Sequence, residues 1–173
     1  DLVLTTLFKD DFRIFEPFYE YYTRHGVGHF YMYYNGVITD EVRSVMEKPN
    51  VTLVEWNFNY WNAVEHKYNH HAQLGQMHNA LYKYGKDRHK YMIFCDLDEY
   101  LDPPSNSLSS FINNSQKDFY VFHNIWSTTT TPTPPKTIGF KFLHSHEKGD
   151  ELYRSKCIYK LQHVVTICIH TPC

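Results

Sequence analysis

Tyr91-Met92-Ile93-Phe94-Cys95-Asp96-Leu97-Asp98-Glu99-Tyr100-Leu101-Asp102-Pro103-Pro104 decides how the chain is read. Residues 91–95 form a short apolar run whose length and flanks suit a buried strand better than a helix. Asp96, Asp98 and Glu99 follow at once, and Pro103 and Pro104 stop the segment. If the strand continues through the acids, its two-residue period puts Asp96 and Asp98 on one side, with Cys95 and Leu97 toward the core. Two like charges on one face repel, so the pair calls for a cation between them. Asp-x-Asp at the carboxyl end of an α/β strand is a place where a divalent ion and phosphates meet. A solvated turn also carries such acids, but a wholly apolar run leading directly into them favours a site.

Outward from this stretch the chain alternates strand and helix. Leu2 to Phe8 reads as a buried strand, followed by a helix with Pro17 as its first residue, running to Thr23 and closed by His25 and Gly26. His29 to Tyr34 reads as an aromatic strand ending in the Asn35-Gly36 turn. Thr39 caps a short helix with Asp40 and Glu41 in its first turn and Pro49 beyond its end, and Val51 to Trp56 is a third strand. In the segment from Trp61 to Gly85, Leu74, Met77, Leu81 and Tyr84 recur at helical spacing as a core stripe. Gln73, Gln76, Asn79 and Lys83 occupy an adjacent face that looks either to solvent or into a cleft.

Beyond the acidic stretch, a helix near Leu108 to Ile112 and strands at Phe119 to Ile125, Ile138 to Leu143 and Cys157 to Ile169 are expected. The Thr- and Pro-rich run from Ser127 to Pro135 reads as a loop, either a lid on the acceptor side or plain surface. The alternation indicates an α/β fold with a mixed, mainly parallel central sheet, whose ligands bind outside the carboxyl ends of its strands.

At 173 residues the chain suits a single domain, 1–173, with a sizeable core. It starts at Asp1 without Met and stops at Cys173, which reads as a fragment of a longer chain. A net charge of −2 and a pI near 6.7 argue against a nucleic-acid surface. Any bound phosphate then needs a metal to supply positive charge. The 15 Tyr, 12 Phe and 3 Trp are mostly core, with some available to stack on bases or sugars. Cys95, Cys157, Cys168 and Cys173 have no Cys-x-x-Cys spacing and read as reduced core residues, with one disulfide between the later ones left open. No apolar run reaches membrane-spanning length. His66-x-x-x-His70 and His144-x-His146 lack the Glu or Cys partners of a zinc site.

Two longer patterns carry a resemblance. Phe18 to Asp40, with its helix ending His25-Gly26-Val27 and its Asn35-Gly36 turn leading to Asp40, is similar to the opening of glycosyltransferase family 92 and its family 2-like relatives. Asp96-Leu97-Asp98-Glu99-Tyr100 resembles that group's Asp-x-Asp-Glu-Phe motif, and the Gln73 to Leu81 helix, Lys156 to Leu161 and Val165 to His170 sit where the group has equivalents. The shortness after Trp126 resembles compact glycosyltransferase domains of large DNA viruses.

The resemblance implies a GT-A fold, with a nucleotide-binding part over about 1–104 and an acceptor-side part over about 105–173. It implies metal-dependent transfer from a nucleotide-sugar donor, usually a UDP-sugar, to a hydroxyl of a glycan or glycoprotein. On the matching positions, Asp98 would bind Mn²⁺ or Mg²⁺, Asp96 would hold the ribose or reach the metal through water, and His170 would complete the metal site. Thr5, Thr6, Phe8 and Asn35 would lie near the donor base, and Gln76 and Asn79 near the diphosphate or sugar. An inverting transfer would take Glu151, then Glu147 or Asp150, as general base. The compartment stays open: host cytoplasm for a viral member, Golgi lumen for a eukaryotic one. Two alternatives remain, a haloacid-dehalogenase-like phosphatase, against which Tyr100 stands where that pattern has Thr or Val, and an inactive sugar-binding scaffold.

Overall fold

The computed structural model describes residues 1–123 and 155–170. In chain order these form β1 (Leu2–Phe8), a 3₁₀ turn (Phe12–Ile14), α1 (Phe15–Arg24), β2 (Val27–Tyr34), α2 (Asp40–Met46) and β3 (Val51–Glu55). A small hairpin of β4 (Trp61–Asn62) and β5 (Lys67–Tyr68) precedes α3 (His71–Asn79), which runs on into a π-helical turn (Ala80–Gly85). The series continues with β6 (Tyr91–Phe94), α4 (Leu108–Ser115), β7 (Phe119–Phe122) and β8 (Lys156–Lys160).

Among the described residues the main sheet has six strands in the order β3-β2-β1-β6-β8-β7. The first four are parallel, and β8 runs antiparallel to both β6 and β7. This is the mixed, mainly parallel sheet that the alternation predicts, with β1 and β6 in its interior as near-continuous apolar strands. Alternate side chains feed two cores. Leu2 and Leu4 pack with Phe15, Phe18 and Tyr22 of α1 and with residues of α2 and α4 on one face, while Val3, Met92 and Phe94 pack with Met77 and Leu81 on the other. Each fully buried large apolar side chain contributes about 1.5–3 kcal/mol.

Local chemistry sets the element ends. The Thr39 side chain accepts the Val42 N–H at 3.3 Å, capping α2 as expected. Pro17 is the third residue of α1, not the first; an N–H missing from the first turn removes no intrahelical bond, so the helix starts earlier at Phe15. Gly26 has φ +90°, and a Cβ there would collide with the Ser109 side chain. That close approach lets the α4 N-terminus dock on the α1 exit, where Ser109 N donates to His25 O at 3.1 Å.

Further expectations need correction, beside β2 starting at Val27 and β3 ending at Glu55. The strand carrying the acids ends at Phe94, because the Asp96 N–H donates to Glu99 Oε2 at 2.8 Å and leaves the ladder. Cys95 and Leu97 nonetheless stay buried at 5% and 1% exposure, so the inward and outward assignment survives in a turn. The last strand stops at Lys160, and residues 161–170 are turn and coil. Finally, β7 stops at Phe122 instead of continuing toward Ile125.

Ile125, the Ser127 to Pro135 loop, the Ile138 to Leu143 strand, His144, His146, Glu147, Asp150, Glu151 and Cys173 lie outside the described residues. Cys95 and Cys157 are buried free thiols, whereas Cys168 is disulfide-bonded. Among the described residues no helix is long and apolar enough to cross a membrane.

Candidate active site

Because β1, β2 and β6 are parallel, their carboxyl ends open on one edge of the sheet and deliver Phe8, Asn35 and Asp96 to a common cleft. The cleft has a volume of about 970 Å³ and is also lined by Asp98, Gln73 and aromatic residues of the β4–β5 hairpin. It is large enough for a nucleotide with a sugar attached.

The acidic turn is shaped by α1. The buried Tyr22 hydroxyl donates to Glu99 O at 2.9 Å and accepts the Leu101 N–H at 3.1 Å, while the Tyr21 hydroxyl donates to Leu101 O at 2.9 Å. Burial above all holds the Tyr22 phenol pKa well above its usual value, so it stays a neutral donor. The turn is thus fixed by a helix some 75 residues earlier, about the separation of Tyr22 from Glu99.

The antiparallel register of β8 brings in a residue that the sequence reading left unassigned. Cys157 pairs with Phe94, so Lys156 comes level with the start of the acidic turn. Its Nζ donates to Asp96 Oδ2 at 2.8 Å and lies 3.2 Å from Glu99 Oε2, with its side chain only 7% exposed. Burial works to lower the Lys156 pKa, but the Asp96 and Glu99 carboxylates together outweigh it and raise it. Glu99 is pushed up to about 7 by burial and then by the Asp96 charge, with Lys156 opposing. Gln73 Nε2 donates to the other Asp96 oxygen at 3.4 Å, so both carboxylate oxygens of Asp96 are held.

Asp98 is exposed and lines the cleft. Loss of hydration, then the neighbouring Asp96 charge, raises its pKa. A carboxylate in that setting gains from a cation, and its oxygens are the hard ligands that Mn²⁺ and Mg²⁺ take. Of the two aspartates, Asp98 is the one whose oxygens are not taken by Lys156 and Gln73. Among the described residues no three His, Cys, Asp or Glu side chains cluster as a metal centre. His170 lies on the same side of the molecule as Lys156, since its carbonyl accepts from Ser155 Oγ at 2.6 Å and Ile169 lines a small recess together with Asp96 and Lys156.

The residues expected around the donor separate into two groups. Phe8, Asn35 and Asp96 line the cleft. Thr5, Thr6 and Gln76 are 1–2% exposed, and Gln76 Nε2 donates to Thr5 Oγ1 at 2.8 Å, which in turn donates to Tyr31 O at 3.0 Å. Asn79 Oδ1 accepts from the Tyr33 hydroxyl at 2.8 Å. These bonds tie α3 to the sheet, and Thr6 and Asn79 line neither the cleft nor the recess. Asn35 spends its amide N–H groups on Trp56 O and Phe58 O, both at 2.8 Å, fixing the loop that leads to the hairpin.

Sequence reasoning missed Glu99, Lys156 and Gln73 as partners of Asp96, and the hairpin aromatics as lining. Glu99 was visible as part of the acidic motif. Lys156 had no signal without the β8 register.

A mixed α/β fold with an acidic turn at the carboxyl edge of a mainly parallel six-stranded sheet is that of a GT-A-like domain. The model for glycosyltransferase family 92 matches residues 4–173, and the chain belongs to that family. It is a glycosyltransferase by family. No curated protein matches the chain.

Proposed function

We propose that this chain transfers a sugar from a UDP-sugar to a hydroxyl of a glycan or glycoprotein acceptor, in a metal-dependent, inverting reaction. The observation that carries the reading is Asp98, a cleft-lining carboxylate with a raised pKa beside the anchored Asp96 at the carboxyl ends of the parallel strands. Asp98, with Asp96 beside it, would hold Mn²⁺ or Mg²⁺, which when bound supplies positive charge against the β-phosphate of the departing nucleotide.

The chain's own groups do the remainder. Lys156 and Gln73 hold the two oxygens of Asp96, so the carboxylate does not rotate away from a donor lying across the strand ends. In that position Asp96 accepts hydrogen bonds from the ribose. Phe8 and Asn35 form the wall at the ends of β1 and β2 where the nucleoside would rest. His170 is proposed as a further ligand and Glu151, ahead of Glu147 and Asp150, as the base that takes the acceptor proton, on the family resemblance alone.

A panel of UDP-sugars incubated with mixed glycoside acceptors, with and without EDTA, tests this reading. Product formed with an inverted anomeric centre by proton NMR, and lost in EDTA, is expected. Turnover unaffected by EDTA overturns the metal dependence, and retained configuration removes the general base from the scheme.

A further inference from the structure

The β4–β5 hairpin leaves large aromatic surfaces in solvent at the mouth of the cleft. Trp61 is 45% exposed and Tyr68 58%. They are paired across the hairpin, with ring centroids 5.0 Å apart and planes at 69°, so the rings form an open corner and not a closed stack. Tyr60 stands behind them, 5.6 Å from Tyr68, and its hydroxyl donates to Gln73 Oε1 at 3.3 Å. Since Gln73 also donates to Asp96, two hydrogen bonds connect the aromatic corner to the acidic turn. Tyr60, Trp61 and Tyr68 line the same cleft as Asp98.

The chemistry of this wall selects its occupant. Lys67, the hairpin's lysine, pairs with Glu65, and the lysine that lines the cleft, Lys9, comes from the end of β1 and not from the hairpin. Beside the rings, Asn57 and Asn59 are exposed and line the cleft. Flat π faces next to primary amides suit a neutral polyhydroxylated ring, whose C–H face lies on the aromatic and whose hydroxyls exchange hydrogen bonds with the amides. A sugar in transit must be shielded from water to avoid hydrolysis, whereas an acceptor enters and leaves through solvent. Half-exposed rings at the mouth therefore match the acceptor.

We propose that the corner formed by Trp61 and Tyr68 is an acceptor subsite and binds a pyranose ring of the acceptor glycan, which adds an acceptor contact from within the 1–104 part that the resemblance gives to the nucleotide. The proposal rests on reading the cleft as the site of sugar transfer. The two fail separately: a wild-type chain that does not bind UDP with Mn²⁺ defeats the reading of the cleft, whereas the corner is tested by sugars without nucleotide.

The probes are methyl glycosides of glucose, galactose, N-acetylglucosamine and fucose, titrated into the full chain and followed by NMR at the Trp61 indole N–H. At least one glycoside should shift that signal, and Trp61→Ala should weaken its binding at least tenfold with the affinity for UDP and Mn²⁺ unchanged. Tyr68→Ala should do the same to a lesser degree. The proposal is overturned if no glycoside moves the indole signal in the wild type, if Trp61→Ala binds the glycosides as well as the wild type, or if the loss falls on UDP instead. The last result would make the corner a base platform. The wild-type titration decides even if a variant fails to fold.

Discussion

Lys156 and Asp96 are joined by a 2.8 Å hydrogen-bonded ion pair across 60 residues of chain, at the point where β8 runs back past the end of β6. A cation brought to the turn by β8 offsets part of the charge that Asp96, Asp98 and Glu99 bring together. It also fixes one side of the Asp-x-Asp pair and leaves Asp98 to the cleft.

Lys156→Met should therefore destabilise the fold by about 2–3 kcal/mol. That is less than the roughly 3–5 kcal/mol of a fully buried pair, because Asp96 keeps 40% of its side chain exposed. Lys156→Arg, which keeps the charge, should lose less. Urea denaturation of the three proteins measures this, and a Lys156→Met midpoint equal to the wild type's would show that the pair holds nothing in place.

Tyr22→Phe removes a hydroxyl that serves Glu99 O and Leu101 N. Both groups lose that partner inside the protein, at a cost of about 1–3 kcal/mol. The expected result is lower stability together with faster hydrogen exchange at the Leu101 amide. Unchanged exchange there would mean that the acidic turn does not depend on α1.

How much of this was legible in the sequence depends on the range of the interaction. Strands β1, β2 and β6 could be read from their apolar runs, and the Thr39 cap and the Gly26 exit from local chemistry, since each is decided within a few residues. The end of β6 could not, because it depends on the Glu99 side chain folding back onto the Asp96 amide. The polar face of α3 was visible but its use was not: Gln76 turns to Thr5 inside the protein, while Gln73, one turn away, reaches Asp96. Lys156 sits in a strand-like sequence, and only the antiparallel register of β8 shows that its ammonium meets the acids.

His25 should take stability away on mild acidification, against Glu99, whose raised folded pKa works the other way in the same range. Burial, and next the Arg24 charge, lower the His25 pKa below the usual 6.5, with Asp102 opposing. The Leu108 N–H donates to Nδ1 at 3.3 Å, which requires an unprotonated nitrogen. With the folded value below the unfolded one, the unfolded chain takes up the proton first. Its contribution is complete above the unfolded pKa and is lost as pH falls below about 6.5 toward the folded value. His25→Asn, which offers an oxygen to the same N–H, should remove that loss, so that its stability at pH 5.5 relative to pH 7 (about one histidine's titration range) is higher than the wild type's. An unchanged difference would assign the dependence to other groups.

The most direct measurement of the central claim is calorimetric titration of UDP into the wild type and into Asp98→Ala, each with Mn²⁺ and with EDTA. UDP should bind the wild type only when Mn²⁺ is present, and Asp98→Ala should lose that binding while melting no lower, since its removal relieves the repulsion from Asp96. Equal UDP affinity in the two proteins, or binding indifferent to Mn²⁺, would contradict the assignment of Asp98 as the metal-holding carboxylate of the transfer site.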